Sequence, residues 1–173
     1  MLIVFGGLPG TGKTTIARAL CAKIEGVHLR IDTIEQALRT TPGWDREVGE
    51  SGYLVAYGLA EDNLRLSRTV VADSVNPVQL TRDAWRAVAE RASVPMVEVE
   101  VIRSDAEDHR YHVEVRSTDI VGLRLPSWAE VTKREYEPWV RPHLILDTSG
   151  KSLAETLAEI LAALRQHQVR IGP

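Results

Sequence analysis

A glycine-rich stretch near the start of the chain has residue types that are suited to binding phosphate. The spacing G-x-x-x-x-G-K-[ST] runs from Gly7 to Thr14, and only Gly6 separates it from the apolar residues 2–5. Glycines let consecutive N–H groups point at phosphate oxygens, while Lys13 would reach the β- and γ-phosphates and Thr14 would bind Mg²⁺. The pattern predicts a bound nucleoside triphosphate with Mg²⁺. The predicted nucleotide-binding residues are Gly7, Pro9, Gly10, Thr11, Gly12, Lys13, Thr14 and Thr15.

A second carboxylate at the end of another core strand helps to hold the metal in such folds. Asp73 ends the apolar stretch TVVAD and is the candidate, with a helix or turn cap as the alternative role. Ser74 follows Asp73 where many ATPases have a glutamate that polarises water, which argues against water as the acceptor. The sequence also lacks the N-K-x-D motif for guanine, so we expect ATP.

Asp32 ends the stretch VHLRID and is the candidate base on the acceptor side. In a parallel sheet of this type, the end of that strand lies beside the phosphate loop. A carboxylate there can accept a proton from an acceptor hydroxyl and aim its oxygen at the γ-phosphorus. The alternative role is a cap for a helix that starts near Thr33, and the two roles are compatible.

Arginines after the fourth apolar run are candidates for stabilising the transferred phosphoryl group. Arg110 and Arg116 lie in SDAEDHRYHVEVR, and Arg124 follows in a loop. Six residues apart on a straight helix, Arg110 and Arg116 would point about 120° from each other, so one active-site arginine is expected from the group. His109 and His112 have no third ligand at metal spacing and are interpreted as solvent-facing or lid contacts.

Five short apolar runs, each followed by a helical pattern, indicate the framework that positions these residues. The runs span residues 2–5, 27–31, 69–72, 96–102 and 143–146. This alternation predicts an α/β protein with a parallel sheet covered on both faces, in one domain over residues 1–173. Two excursions leave the alternation, and we expect an acceptor site at about 33–66 and a lid at about 104–139.

Aromatic residues gather in the first excursion although they make up only 5% of the chain. Trp44, Tyr53 and Tyr57 predict an aromatic wall for the acceptor pocket. Alternatively, Trp44 and Tyr53 pin the long loop onto the core. Arg39 and Arg46 would contact an acidic acceptor or be solvated.

The composition limits the classes of partner. The chain has 173 residues, a net charge of −3 and 44% apolar residues, which indicates a globular protein with no general attraction to nucleic acid or anionic membranes. No apolar run approaches the roughly 18 to 20 residues of a membrane span. The single cysteine, Cys21, is consistent with a reducing compartment, and we expect a cytoplasmic protein.

The motifs together resemble those of P-loop kinases that act on small molecules. The likeness covers nearly the whole chain and rests on GLPGTGKTT, RID, VVADSVNPVQLTRDAW and HRYHVEVR, in that order. This group includes chloramphenicol phosphotransferase, adenylylsulfate kinase, gluconate kinase, the kinase domain of bacterial polynucleotide kinase and zeta-toxin-like ATP-binding proteins. The resemblance implies a three-layer α/β/α fold, a five-stranded parallel sheet of order 2-3-1-4-5 and a helical lid with arginines.

The resemblance also implies roles for individual residues. It assigns the acceptor-side base to Asp32 and the metal-side carboxylate to Asp73, and it places Ser74 and Asn76 in the acceptor pocket. The turn DTSGKS, which contains Thr148, is similar to a segment that packs near adenine. Where adenylylsulfate kinases have an Asp-Gly-Asp cluster and gluconate kinases have paired acidic residues, this chain has RIDTI, so neither acceptor is implied.

These features predict an ATP-dependent kinase that transfers the γ-phosphate of Mg-ATP to a hydroxyl of a small-molecule acceptor. A polynucleotide 5′-kinase would use the same chemistry, but it is disfavoured because the chain has 24 acidic and 21 basic side chains. A toxin-like kinase of a nucleotide-sugar and a nucleotide-dependent switch protein without an acceptor are two further hypotheses.

Overall fold

Five parallel strands form the centre of the protein, which the computed structural model describes over residues 1–44 and 47–171. The strands are β1 (Leu2–Gly6), β2 (Val27–Arg30), β3 (Val70–Asp73), β4 (Met96–Ile102) and β5 (Leu144–Asp147). Their order across the sheet is β2-β3-β1-β4-β5, and every neighbouring pair is parallel. The sheet order implied by the resemblance is therefore confirmed.

Seven helices are described, and most of them connect successive strands. They are α1 (Lys13–Ile24), α2 (Ile31–Arg39), α3 (Ser51–Arg65), α4 (Gln79–Arg91), α5 (Ala106–Val115), α6 (Trp128–Thr132) and α7 (Leu153–Ile171). None of the helices in the described part of the chain is long and apolar enough to cross a membrane.

The two faces of the sheet are covered by different helices, which explains the apolar sequence of β1. Ile3 and Phe5 point to one face and pack in a cluster with residues of α1 and α7. Leu2 and Val4 point to the other face and pack with residues of α3 and α4, including the buried Trp85. Because successive side chains of a strand alternate between faces, a strand covered on both sides must be apolar throughout.

Arg82 on α4 joins the core to the end of the predicted lid. Its guanidinium is buried and donates hydrogen bonds to four backbone carbonyl groups. Two belong to the segment before α4, Asn76 and Pro77, and two belong to the end of the predicted lid, Glu137 and Pro138. The guanidinium also lies 4.4 Å from the centre of the Trp139 ring. The lid segment therefore returns to the sheet at a fixed place.

Candidate active site

The phosphate loop between β1 and α1 is formed by glycines in conformations that other residues rarely adopt. Gly7, Gly10 and Gly12 have φ angles of 133°, 88° and 94°. A Cβ atom on Gly7 would lie 2.1 Å from the Val101 carbonyl oxygen, and one on Gly10 would lie 2.4 Å from Val113 Cγ2. The loop therefore packs closely against β4 and α5, where no larger side chain fits.

Hydrogen bonds from the side chains of Thr11, Thr148 and His109 help to hold the loop. Thr11 Oγ1 donates to the Leu8 carbonyl at 3.0 Å, and Thr148 Oγ1 donates to the Thr11 carbonyl at 3.0 Å. His109 on α5 donates from Nε2 to the Pro9 carbonyl at 2.8 Å, and burial lowers the pKa of His109. Thr148 thus supports the loop, and its predicted position near adenine stays a prediction.

Lys13 begins α1 and is buried at the bottom of the site. Its Nζ donates to the Leu8 carbonyl at 2.8 Å. Burial lowers the pKa of Lys13 to about 8, although the carboxylates of Asp73 and Asp32 act in the opposite direction. The phosphates of a nucleotide would give this ammonium a stronger partner than a neutral carbonyl.

Asp73 ends β3 and lines the site, where it is only 3% exposed to solvent. Its Oδ2 accepts a hydrogen bond from Nε2 of His28, on the neighbouring strand β2, at 3.1 Å. Thr14 lines the same cavity as Asp73. A carboxylate together with a hydroxyl is an oxygen ligand set that suits Mg²⁺, so the predicted metal residues fit this ion. Sequence reasoning missed His28.

Asp32 lies in the first turn of α2, which begins at Ile31 and not near Thr33. The residue before the helix is Arg30, and no side chain caps this helix end, so the alternative role of Asp32 as a cap is wrong. The carboxylate is half-exposed and lines the cavity, with Oδ2 4.0 Å from Arg30 Nε. It is therefore accessible to a molecule that enters the site.

A cavity of about 600 Å³ connects the phosphate loop, α2 and residues 116–126. Many of the predicted site residues line it, namely Pro9, Gly10, Gly12, Lys13, Thr14, Thr15, Asp32, Arg39, Asp73, Ser74 and Arg116. It also contains three arginines that sequence reasoning did not single out, Arg18, Arg30 and Arg134. A cavity of this size is large enough for a small molecule beside the phosphates of a nucleotide.

The cavity is positively charged although the whole chain has a net charge of −3. Seven Lys and Arg side chains line it, against four Asp and Glu side chains. Two of the carboxylates are paired with lining arginines, since Glu35 contacts Arg39 and Asp119 contacts Arg30, each at 2.8 Å. This concentration of positive charge favours anionic ligands.

The predicted lid lies over the phosphate loop and the cavity. Helix α5 rests on the loop, and the Trp128 ring at the start of α6 packs against the His109 ring with their centres 5.1 Å apart. Residues 116–119 and 122–126 line the cavity, and Gln36 Nε2 on α2 donates to the Val121 carbonyl at 3.2 Å. The lid thus contacts both the phosphate loop and α2.

The three candidate arginines of the lid have different positions. Arg124 lines the cavity and pairs with Glu130 at 2.7 Å. Arg116 lines the cavity and donates to the Pro126 carbonyl at 3.2 Å, and burial lowers its pKa. Arg110 is 61% exposed and pairs with Glu114 at 2.8 Å, outside the cavity. Arg134, which follows α6, also lines the cavity. The structure therefore brings Arg116 and Arg134 to the site and leaves Arg110 on the surface.

The three aromatic residues do not line this cavity. The Tyr57 ring packs edge-on against the Trp85 ring, with centres 4.6 Å apart. The Tyr53 hydroxyl accepts a hydrogen bond from the Asn76 backbone N–H at 3.2 Å. Both tyrosines fix α3 against the core, while Trp44 lines a separate, shallower recess. Their orientation depends on how α3 packs, which the sequence does not reveal.

Asn76 also lies behind the cavity and not in its wall. Its side chain is fully buried, donates from Nδ2 to the Phe5 carbonyl at 2.7 Å and accepts from Trp85 Nε1 at 3.1 Å. Ser74, two residues earlier, is buried but lines the cavity. Arg46, the other predicted acceptor contact, lies outside the described residues.

A parallel sheet with a glycine phosphate loop after β1, carboxylates at or after the ends of β2 and β3, and an arginine-bearing lid defines a P-loop phosphotransferase. The chain belongs to the AAA_33 family, whose model, described as an AAA domain, matches residues 2–124.

Several kinases with different acceptors in their names are similar to this chain. An adenylyl-sulfate kinase of Chloroflexus aurantiacus is 28% identical over 96% of this chain and 89% of its own length. The structure of an APS kinase of Mycobacterium tuberculosis in complex with AMPPNP and APS has a TM-score of 0.67 at 20% identity, covering 95% of this chain and 96% of that one. A gluconokinase from Sinorhizobium meliloti has a TM-score of 0.67 at 18% identity, covering 98% and 94%. The fold is therefore shared by kinases whose names specify different acceptors.

Proposed function

We propose that this protein transfers the γ-phosphate of Mg-ATP to a hydroxyl of a small-molecule acceptor bound beside Asp32. A kinase that uses ATP with Mg²⁺ is supported by the adenylyl-sulfate kinase relative, by the fold shared with kinases and by the phosphate loop in the cavity. The observation that carries the proposed acceptor site is that one cavity contains Lys13, the buried Asp73 and the accessible Asp32.

Each group of residues has a defined task in the proposed transfer. The loop N–H groups and Lys13 hold the phosphates, and Mg²⁺ held by Thr14 and Asp73 would offset their negative charge. The acceptor oxygen forms a bond to the γ-phosphorus as the bond to the β–γ bridging oxygen breaks, and Asp32 accepts the hydroxyl proton. Arg116 would stabilise the charge on the group in transfer.

Two features support a small acceptor over water or a polymer end. Ser74 follows Asp73, so the position after the metal-side carboxylate holds no carboxylate that would activate water. The cavity of about 600 Å³ is bounded by α2 on one side and by residues 116–126 on another, which suits a compact molecule.

A screen for acceptor-stimulated ADP release tests the proposal. The purified protein with Mg-ATP is given hydroxyl-bearing metabolites, antibiotics, nucleosides or a 5′-hydroxyl oligonucleotide. Asp32→Asn should lower the stimulated rate about 10² to 10⁴-fold, because the base is lost, and should leave the affinity for Mg-ADP unchanged.

The matched control for this screen is Asp62→Asn, which removes an exposed carboxylate of α3 outside the cavity and should behave like the wild type. Stimulated ADP release that survives Asp32→Asn would contradict the proposed role of Asp32. Stimulation by the oligonucleotide alone would favour the polynucleotide 5′-kinase.

A further inference from the structure

A carboxylate of the lid is held between an arginine of α1 and the arginine that ends β2. Asp119 Oδ1 accepts a hydrogen bond from Arg30 Nη1 at 2.8 Å, and Asp119 Oδ2 pairs with Arg18 Nη2. Arg30 ends β2 and is only 11% exposed, while Arg18 lies on α1. The hydrogen bonds from Arg30 and Arg18 hold the pKa of Asp119 below its usual range. Both arginines therefore bind an oxyanion in this structure, and that oxyanion belongs to the protein itself.

Asp119 does not satisfy all the donors of Arg30. Arg30 Nε is buried and has no hydrogen-bond partner among the described residues. The carboxylate of Asp32 is 4.0 Å from this atom, beyond hydrogen-bonding distance. Leaving a buried donor without an acceptor costs free energy, and the cost is greater for a charged group. A ligand oxyanion in the cavity would supply the missing acceptor.

The two arginines lie beside the proposed centre of phosphoryl transfer. Arg18 follows Thr14 by four residues on α1, so the two side chains are on the same face of that helix. Arg30 precedes Asp32 by two residues, and all four residues line one cavity with Lys13. An acceptor whose hydroxyl is at Asp32 would therefore place its adjoining substituents near Arg30.

We propose that Arg30 and Arg18 form a subsite for an oxyanionic group of the acceptor, and that Asp119 occupies this subsite until the acceptor displaces it. The exchange of one oxyanion for another keeps both guanidinium groups paired, so the largely buried Arg30 is not left without a partner. This inference rests on the kinase function proposed above. It defines the acceptor as a small hydroxyl compound that also carries a carboxylate, sulfate or phosphate group.

Sulfate binding to the nucleotide-loaded protein tests the subsite without a known acceptor. Saturating Mg-AMPPNP occupies the phosphate loop, and sulfate is titrated at constant ionic strength by calorimetry. Asp119→Asn should bind sulfate about tenfold more tightly than the wild type, because the competing carboxylate is removed. Adding Arg30→Gln to Asp119→Asn should abolish this gain.

Glu114→Gln is the matched control, because it removes one carboxylate from the lid outside the cavity. It should leave sulfate affinity at the wild-type value. Equal affinity of the wild type and Asp119→Asn, or a gain that persists when Arg30→Gln is added, would overturn the subsite. Weaker sulfate binding by Asp119→Asn with a lowered Tm would also overturn it, since Asp119 would then be a structural link.

The titration and the acceptor screen fail independently of each other. Sulfate binding requires no phosphoryl transfer, so a positive titration with no acceptor-stimulated ADP release would count against the kinase site and not against the anion subsite. Stimulated ADP release with sulfate affinity that does not depend on Arg30 would leave the kinase function standing and remove the subsite.

Discussion

Lys13 makes nucleotide affinity depend on pH in a direction that the structure determines. The ammonium is buried, and burial lowers its pKa to about 8, so the free protein loses this charge within an accessible pH range. In the complex, nucleotide phosphates beside Nζ would keep the ammonium protonated. The affinity for the nucleotide should therefore be at its maximum well below pH 8 and should fall as the pH rises through 8. Above that pH, binding requires the uptake of a proton by Lys13.

The size of the effect follows from the pKa of about 8. The protonated fraction of Lys13 in the free protein falls from about 0.9 at pH 7 to about 0.1 at pH 9. The apparent affinity for Mg-ADP should fall by the same ratio, which is about tenfold over these two pH units.

Isothermal titration calorimetry with Mg-ADP at a series of pH values and constant ionic strength measures this change. Lys13→Arg is the control, because a guanidinium stays charged throughout the range and should give a flat profile. Any additional group that titrates in this range would affect both proteins equally. A flat wild-type profile, or parallel profiles for the two proteins, would refute the reasoning.

Two further substitutions test the assignments of the lid and the core. Arg116→Ala should lower the acceptor-dependent kcat about 10²-fold, because Arg116 lines the cavity, while Arg110→Ala should keep the wild-type kcat. Equal losses in the two variants would contradict the assignment. Arg82→Met should lower the free energy of unfolding in urea by about 3 kcal/mol, because it leaves the buried Asn76 carbonyl and the partly buried Glu137 carbonyl without their donor. Arg91→Met, on the exposed side of the same helix, should change it by less than about 1 kcal/mol, and comparable changes in both variants would refute this role of Arg82.

Local sequence patterns predicted the framework closely. The apolar run 96–102 coincides with β4, and the other four strands begin or end within a residue or two of the predicted runs. These predictions succeed because a strand buried on both faces needs an unbroken apolar run, whatever surrounds it. The boundary of α2 was predicted two residues late, because the helix follows β2 directly without a side-chain cap.

Asp32, Arg39 and Ser74 were predicted and line the cavity, but other residues of the proposed acceptor side were beyond prediction from local patterns. Asp119 is 101 residues from Arg18 and 89 residues from Arg30, and no spacing rule joins positions so far apart. Tyr53 and Tyr57 were predicted to form a pocket wall because they are aromatic, but they pack against the core instead. Their positions follow from the rotation of α3 against α4 and the sheet, which depends on the packing of many residues together.

The sequence by itself determined the phosphate loop and the parallel sheet, because glycine spacing and apolar runs act on the nearest residues of the chain. Only the tertiary structure decided that Arg116 lines the cavity and Arg110 does not. The docking of α5 through His109 and Val113 onto the phosphate loop leaves Arg110 in solvent and brings Arg116, at the end of the helix, over the site. The direction of a helix face is set by what the helix packs against, and that partner lies about 100 residues away in the chain.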